Sequence, residues 1–361
     1  MPDLRDKIAG SIYGLLVGDA MGCPVEGWSP REIQSTYGVL QTMEEARKRW
    51  RPAGLHSDDG QQAMALCDAL LQNPRAPSAG FARLVVELYR AGGKPRGGFG
   101  LHRGTGKNFR NAVKALSRGC QPHAAAQPSA GNGVAMMIAP LGLYWQDDDA
   151  ALCDAVVDVA TVKQNDIRGI AAAGAVAWLT AKALGRKDFS DLQPEDLLAF
   201  VHRVEDAAAE ATGSNTCLRV FSEALEDMLA HLHKERPHVL QRIAEVAGRT
   251  ATRNVYPCSG YAPASVVSSV YLCLTSVSFR QAIVDTVNLG GDADTTGAMV
   301  GAMAGALYGK SAIPAEWYER LHARDRFDDR IEALADLPAN WAPETPLVAL
   351  ETEWDSLLDR R

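Results

Sequence analysis

No stretch of this 361-residue chain alternates apolar and polar residues in a convincing series, and no strand–helix–strand rhythm runs through it. An all-α domain is the fold class that remains. None of the seven cysteines (Cys23, Cys67, Cys120, Cys153, Cys217, Cys258, Cys273) forms a C-x-x-C pair, so zinc-knuckle and thioredoxin readings fail. Their odd number and scatter through apolar stretches suit free thiols in a reducing, cytoplasmic setting. A basic excess is also missing. A net charge of -7 and a pI near 5.7 argue against a general binder of nucleic acid or membrane surfaces, although a local basic groove is compatible with them. No window reaches the ~18 uncharged apolar residues that a membrane helix needs. The apolar stretch from Ile8 to Val17 follows Asp3 and Asp6 rather than a basic segment and lacks a cleavage site, so it does not read as a signal peptide. There is no internal repeat, low-complexity tract or clear linker. With 47% hydrophobic and 22% charged residues, we read 1–361 as a single compact multi-helix domain.

Helical periodicity fills the chain. Ala63, Leu66, Cys67, Leu70 and Leu71 follow the spacing of one buried helix face. The Ala-rich run 166–184 ends at Gly185, a helix with a glycine stop. Two glycine stripes recur every four residues: Gly10, Gly14, Gly18, Gly22, and Gly297, Gly301, Gly305, Gly309. Residues four apart share a helix face. Each glycine costs a helix roughly 1 kcal/mol relative to Ala, so a compensating close approach of two helices is expected. Residues 92–106 form a glycine-rich loop. Residues 186–250 are more charged and read as peripheral helices. The tail from Leu337 to Pro346 carries three prolines and leads into a short acidic helix.

Two acidic knots open helix patterns more than two hundred residues apart: Ser57-Asp58-Asp59, and Asp292-Ala293-Asp294-Thr295 after a glycine pair. An isolated knot is usually just a helix cap, and the helix dipole favours acids there. If Asp58, Asp59, Asp292 and Asp294 converged, they would exceed what capping requires and repel one another unless a cation lay between them. Oxygen ligands of this kind select Mg²⁺, Mn²⁺ or Ca²⁺ over zinc. A third segment, Ser129-Ala130-Gly131-Asn132-Gly133, is a small, glycine-rich turn into a helix over the apolar run 134–144. Such a turn offers backbone N–H groups to an anion, phosphate above all. Glu26, on a Gly/Pro-rich loop beside Trp28, is a candidate general base. The segment Gly104-Thr105-Gly106-Lys107-Asn108 fails as a P-loop, because Leu101 and Asn108 stand where Gly and Ser/Thr are required. His231 and His233, two apart, point to different helix faces and are not a metal pair.

Taken in order, five segments resemble the ADP-ribosylglycohydrolase family over about residues 8–317: Gly18–Gly22 with Pro24 and Glu26; Ser57-Asp58-Asp59; Arg103-Gly104-Thr105-Gly106; Gly131–Met136; and Val287–Thr295 running on to Gly309. The resemblance implies an orthogonal all-α fold, with residues 318–361 as a helical and loop extension. It implies two Mg²⁺ or Mn²⁺ ions held by Ser57, Asp58, Asp59, Asp292, Asp294 and Thr295. It places ADP-ribose against Ser129, Gly131, Asn132 and Gly133, with Gly104, Thr105 and Gly106 nearby, and Glu26 on a mobile loop above the metals, where it would ligate one of them in a closed-off state or act on the scissile bond. Either Glu26 or Asp59 then serves as the acid/base group. The implied activity is release of ADP-ribose from an acceptor, with protein-linked arginine as the default. Serine, a nucleic-acid base or a small metabolite stay open, and a cognate ADP-ribosyltransferase is a possible partner. A silent ADP-ribose-binding or toxin-neutralising protein of the same fold is the rival, and hydrolysis of another ribosyl conjugate is a third reading. Five positions depart from the family pattern: Gly60 for Thr, Gly104 for an acid, Met137 for Arg, and Lys163-Gln164 for Thr-His.

Overall fold

A computed structural model describes residues 2–47, 51–92 and 99–359. Within them lie seventeen α-helices, five 3-10 helices and four isolated β-bridges, with no strand, so the all-α expectation holds. Of the glycine-rich loop 92–106, positions 93–98 fall outside the described residues. Apolar side chains from Ile8 to Trp354 join one continuous core.

At its centre the helix Leu4–Gly22 lies antiparallel to Ala293–Tyr308, and the two glycine stripes face each other. A Cβ placed on Gly14 would lie 2.3 Å from the Gly301 carbonyl oxygen; one on Gly18 would lie 1.9 Å from that of Gly297. Both partners are backbone, so nothing larger than hydrogen fits between the helices. This contact explains why the chain tolerates a residue that weakens an isolated helix. The Leu4–Gly22 helix is buried continuously from Lys7, which is why its sequence shows no polar face.

Two helical stretches, Leu4–Val25 and Ile167–Leu184, are long and apolar enough by composition to cross a membrane. Their burial inside the protein, 100% and 89%, accounts for that apolarity. The second stops at Gly185 as expected, but with φ −85°, so the glycine ends it without a left-handed turn. The charged stretch after it forms Pro194–Thr212, Val220–Ala230 and Arg236–Gly248. Each of these buries one face; Val204, for example, packs against Gly174.

The C-terminal stretch is less of an appendage than the sequence suggests. Helix Asp328–Asp336 inserts Arg330, fully buried, against Asp68, with Nε donating to Oδ1 at 2.7 Å and Nη2 to Oδ2 at 3.0 Å. Helix Leu347–Asp355 buries Leu347, Leu350, Glu351 and Trp354.

Candidate active site

The glycine seam delivers two acidic helix ends to one place. The Asp58–Gln72 helix starts at Ser57, whose hydroxyl accepts from the Asp59 amide at 3.1 Å. A second cap comes from the central helix: Asp19, fully buried, accepts from the Ser57 amide at 2.8 Å and the Gly60 amide at 2.9 Å. The other end is different. Asp292 occupies the N-cap position of Ala293–Tyr308, yet its side chain makes no capping bond. Its carboxylate instead accepts from Asn132 Nδ2 at 2.7 Å. Capping therefore does not explain Asp292.

A cavity of about 390 Å³ joins these elements, a volume suited to a small-molecule ligand. Its walls include Glu26, Asp58, Asp59, Asp292, Asp294 and Thr295, together with Gly104, Thr105, Gly106, Ser129, Gly131, Asn132 and Gly133. Of the residues singled out from the sequence, Ser57 alone is absent from the lining; it is fully buried and engaged as a cap. The turn at 129–133 does not open a regular helix. The apolar run after it breaks into a 3-10 turn, Ala135–Met137, and a six-residue helix, Ala139–Tyr144, with Pro140 at its start. Proline has no amide to donate and fixes φ, so one continuous helix from 134 is prevented. The Asn132 amide bonds the Gly260 carbonyl at 3.3 Å, and the Gly131 amide bonds Ser129 Oγ at 3.3 Å. The turn is thus held from both sides, and fewer of its amides are free for an anion than the sequence suggests.

The acids strain one another electrostatically. Burial, opposed by Lys163, pushes the Asp58 carboxyl up to about 7. Burial, followed by Asp294 and Asp19, pushes Asp59 well above the usual carboxylate range. Burial, followed by Glu26 and Asp292, does the same to Asp294, and Asp292 is raised chiefly by burial. Asp59 Oδ2 is buried without a hydrogen-bond partner. Among the described residues no three Asp, Glu, His or Cys side chains are gathered into a ready-made ligand set. The donors are nevertheless all oxygen, share one cavity and outnumber the two buried cations beside them, Arg51 and Lys163, and this donor chemistry suits a hard divalent cation.

The structure also brings to the site residues to which the sequence reading gave no role there. Asp19 could have been noticed as a lone charge in an apolar helix. Arg51 is buried, with Nη2 3.7 Å from Glu26 Oε2 and 4.0 Å from Asp294 Oδ2. Gln62 donates to Asp58 Oδ2 at 2.6 Å. Lys163 reaches Gln62 Oε1 and the Gly133 carbonyl, with Met137 Sδ at 3.7 Å. Burial lowers its ammonium to about 8, while Asp58 and Asp59 oppose that shift. Apart from Gln62 and Asp58, four apart on one helix, these partnerships cross the chain and leave no local pattern.

Two departures find a steric reason. A Cβ on Gly60 would lie 2.7 Å from Leu16 Cδ2 and 2.9 Å from His56 Cδ2, so the position has no room for a hydroxyl-bearing side chain. Gly104 has φ +87°, where glycine is favoured, and a Cβ there would come within 3.0 Å of Asp58 Oδ1.

Known proteins share this arrangement of sequence and fold. The chain is 26% identical to the ADP-ribosyl-[dinitrogen reductase] glycohydrolase of Rhodospirillum rubrum, over 89% of this chain and 92% of that protein. It is 26% identical to the ADP-ribosylarginine hydrolase Tri1 of Pseudomonas putida, over 94% and 79% of the two chains. It is 24% identical to the ADP-ribosylhydrolase ARH3 of Bos taurus, over 91% and 92%. A solved structure, an ADP-ribosylglycohydrolase-related protein complex, superimposes with a TM-score of 0.67 at 26% identity, covering 93% of this chain and 99% of that one. The ADP-ribosylglycohydrolase profile matches residues 1–346, a wider span than 8–317. The chain therefore belongs to the ADP-ribosylglycohydrolase family, a family of ADP-ribosyl hydrolases.

Proposed function

We propose that this protein is a divalent-metal-dependent hydrolase that releases ADP-ribose from a modified acceptor. The observation that carries the reading is the meeting of Asp58 and Asp59 with Asp292 and Asp294 on one cavity that the Ser129–Gly133 turn also lines. Asp58, Asp59, Asp292, Asp294 and Thr295 would hold two Mg²⁺ or Mn²⁺ ions, with the Ser57 hydroxyl behind them. When bound, such ions orient hydroxyl groups, lower the pKa of a water and stabilise developing negative charge. The residues of the chain prepare the remainder. Asn132 orients Asp292, Gln62 orients Asp58, and Asp19 fixes the turn that carries both Ser57 and Gly60.

Hydrolysis breaks the bond from ribose C1″ to the acceptor and adds water at C1″, through oxocarbenium-like charge. One carboxylate must take a proton from that water, and a proton must reach the departing acceptor atom, so the same group can act as base and then as acid. Glu26 is the better placed, at the cavity edge with a side chain 34% exposed and beside Arg51. Asp59, with its unpartnered Oδ2, is the alternative. The Ser129–Gly133 turn and the Gly104–Gly106 wall would receive the pyrophosphate and its neighbours. Arginine is the default acceptor, supported by the name of the Pseudomonas relative; serine, a nucleic-acid base and a small metabolite are the competitors. A cognate ADP-ribosyltransferase would supply the substrate. The cysteines, all free among the described residues, are compatible with a cytoplasmic setting.

A release assay tests the proposal. Arginine-, serine- and nucleic-acid-linked ADP-ribose are incubated with the protein, with Mg²⁺ and with chelator. We expect release that needs the metal and falls at least a hundredfold in Asp292→Ala. Release that survives chelation, or none from any substrate, overturns it.

A further inference from the structure

Helix Leu347–Asp355 lies beyond the stretch that the family profile matches, 1–346. Leu347, Leu350 and Trp354 pin it to the core. Between them Glu351 is fully buried. A carboxylate in such a place costs several kcal/mol unless it is closely partnered, and this one is. Arg103 Nη2 forms an ion pair with Oε2 at 2.7 Å, Gln61 Nε2 donates to Oε2 from 2.6 Å, and His56 Nε2 stands 3.0 Å from Oε1. Burial would raise its carboxyl, but Arg103, His56 and Gln61 outweigh burial and hold it at about 2.

The partners are the residues that flank the cavity. His56 immediately precedes Ser57-Asp58-Asp59, and Gln61 follows that knot. Arg103 immediately precedes Gly104-Thr105-Gly106. The network closes on itself: Gln61 Oε1 accepts from the Arg103 amide at 2.9 Å, and Arg103 Nε donates to the His56 carbonyl at 3.0 Å. Across this clamp Gly104 stands against Asp58. Apolar packing of equal volume would stabilise a core at least as well as a buried ion pair. A charge kept here, tied to both walls of one cavity, calls for a role in geometry.

We propose that Glu351 is a positioning residue of the active site. Through Arg103, His56 and Gln61 it registers the Arg103–Gly106 wall against the Ser57–Asp59 wall, so the cavity is incomplete without the C-terminal helix. The ligand arm of the test rests on the ADP-ribose reading; the other arm does not.

The test compares full-length Glu351→Gln, Arg103→Gln and the double variant with the unaltered chain. Hydrogen exchange is followed across all segments, and ADP-ribose is titrated by calorimetry with Mg²⁺ present. In Glu351→Gln we expect faster exchange confined to segments 55–61 and 99–106, with the central helices 4–22 and 293–308 unchanged. ADP-ribose affinity should fall at least tenfold in each single variant, and the double should be no worse than the weaker single. Unchanged exchange in the two segments overturns the proposal, as does a uniform rise over the whole protein, which marks a purely structural role. Losses that add in the double variant also overturn it. If the unaltered chain binds no ADP-ribose, the functional reading fails, while the exchange pattern still decides the positioning claim.

Discussion

The glycine seam makes a sharp numerical prediction. In Gly18→Ala the new Cβ would lie 1.9 Å from the Gly297 carbonyl oxygen and 2.4 Å from its carbon. Ordinary contact begins at 3.4 Å, so the helices must part locally by about 1.5 Å (3.4 − 1.9). Neither side can rotate away, because both atoms struck are close to fixed backbone. Overpacking of a core typically costs 1–3 kcal/mol, and parting two helices also forfeits dispersion contacts along the seam. Better helix propensity returns at most about 1 kcal/mol. A net destabilisation of about 2 kcal/mol follows, with the overpacking term near the top of its range. There is a functional corollary: the next residue, Asp19, orders the Ser57 turn, and Gly297 lies one turn from Asp292–Thr295. Urea unfolding with and without Mn²⁺ measures both effects. Gly248→Ala is the control, since a Cβ at that helical position meets nothing within 4 Å; it should be neutral or slightly stabilising. A Gly18→Ala protein as stable as the unaltered chain would refute the packing argument.

Three further outcomes are expected. In chelator, stability should fall as pH rises from about 4 to about 7. Asp58, raised to about 7, binds a proton in the folded state that the unfolded state has already released, so rising pH favours unfolding by up to roughly 4 kcal/mol from this group. Metal binding at pH 6–7 should release protons, read as a dependence of calorimetric heat on the buffer's ionisation enthalpy; heats independent of buffer would count against it. Arg330→Met alone should cost about 3–5 kcal/mol by stranding Asp68, whereas Arg330→Met with Asp68→Leu should recover most of the loss in thermal melts; equal losses would show that the pair is merely packed, not coupled.

What the sequence revealed was what repeats or caps locally. Missing strand alternation and persistent helical spacing pointed to the all-α fold. The four-residue glycine period could be read because one helix face repeats at that interval, and a residue as costly as glycine needs a reason to recur. The two acidic knots were visible because helix starts have their own chemistry. The hidden parts are long-range. Asp19 caps a helix that begins at Asp58, Lys163 bonds Gly133 and Gln62, and Glu351 meets Arg103. No spacing rule connects such residues. The 134–144 run misled for a different reason: apolarity suggested one helix, and Pro140 divides it.

The antiparallel central pair also shapes how the chain comes to be folded. During synthesis Gly22 emerges about 271 residues (293 − 22) before Ala293. Until then a helix apolar on every side has no permanent mate. Contacts so distant in sequence form slowly, and unsatisfied apolar surface invites aggregation. The nascent protein should therefore lean on chaperones, and its acidic pocket should be among the last features to mature.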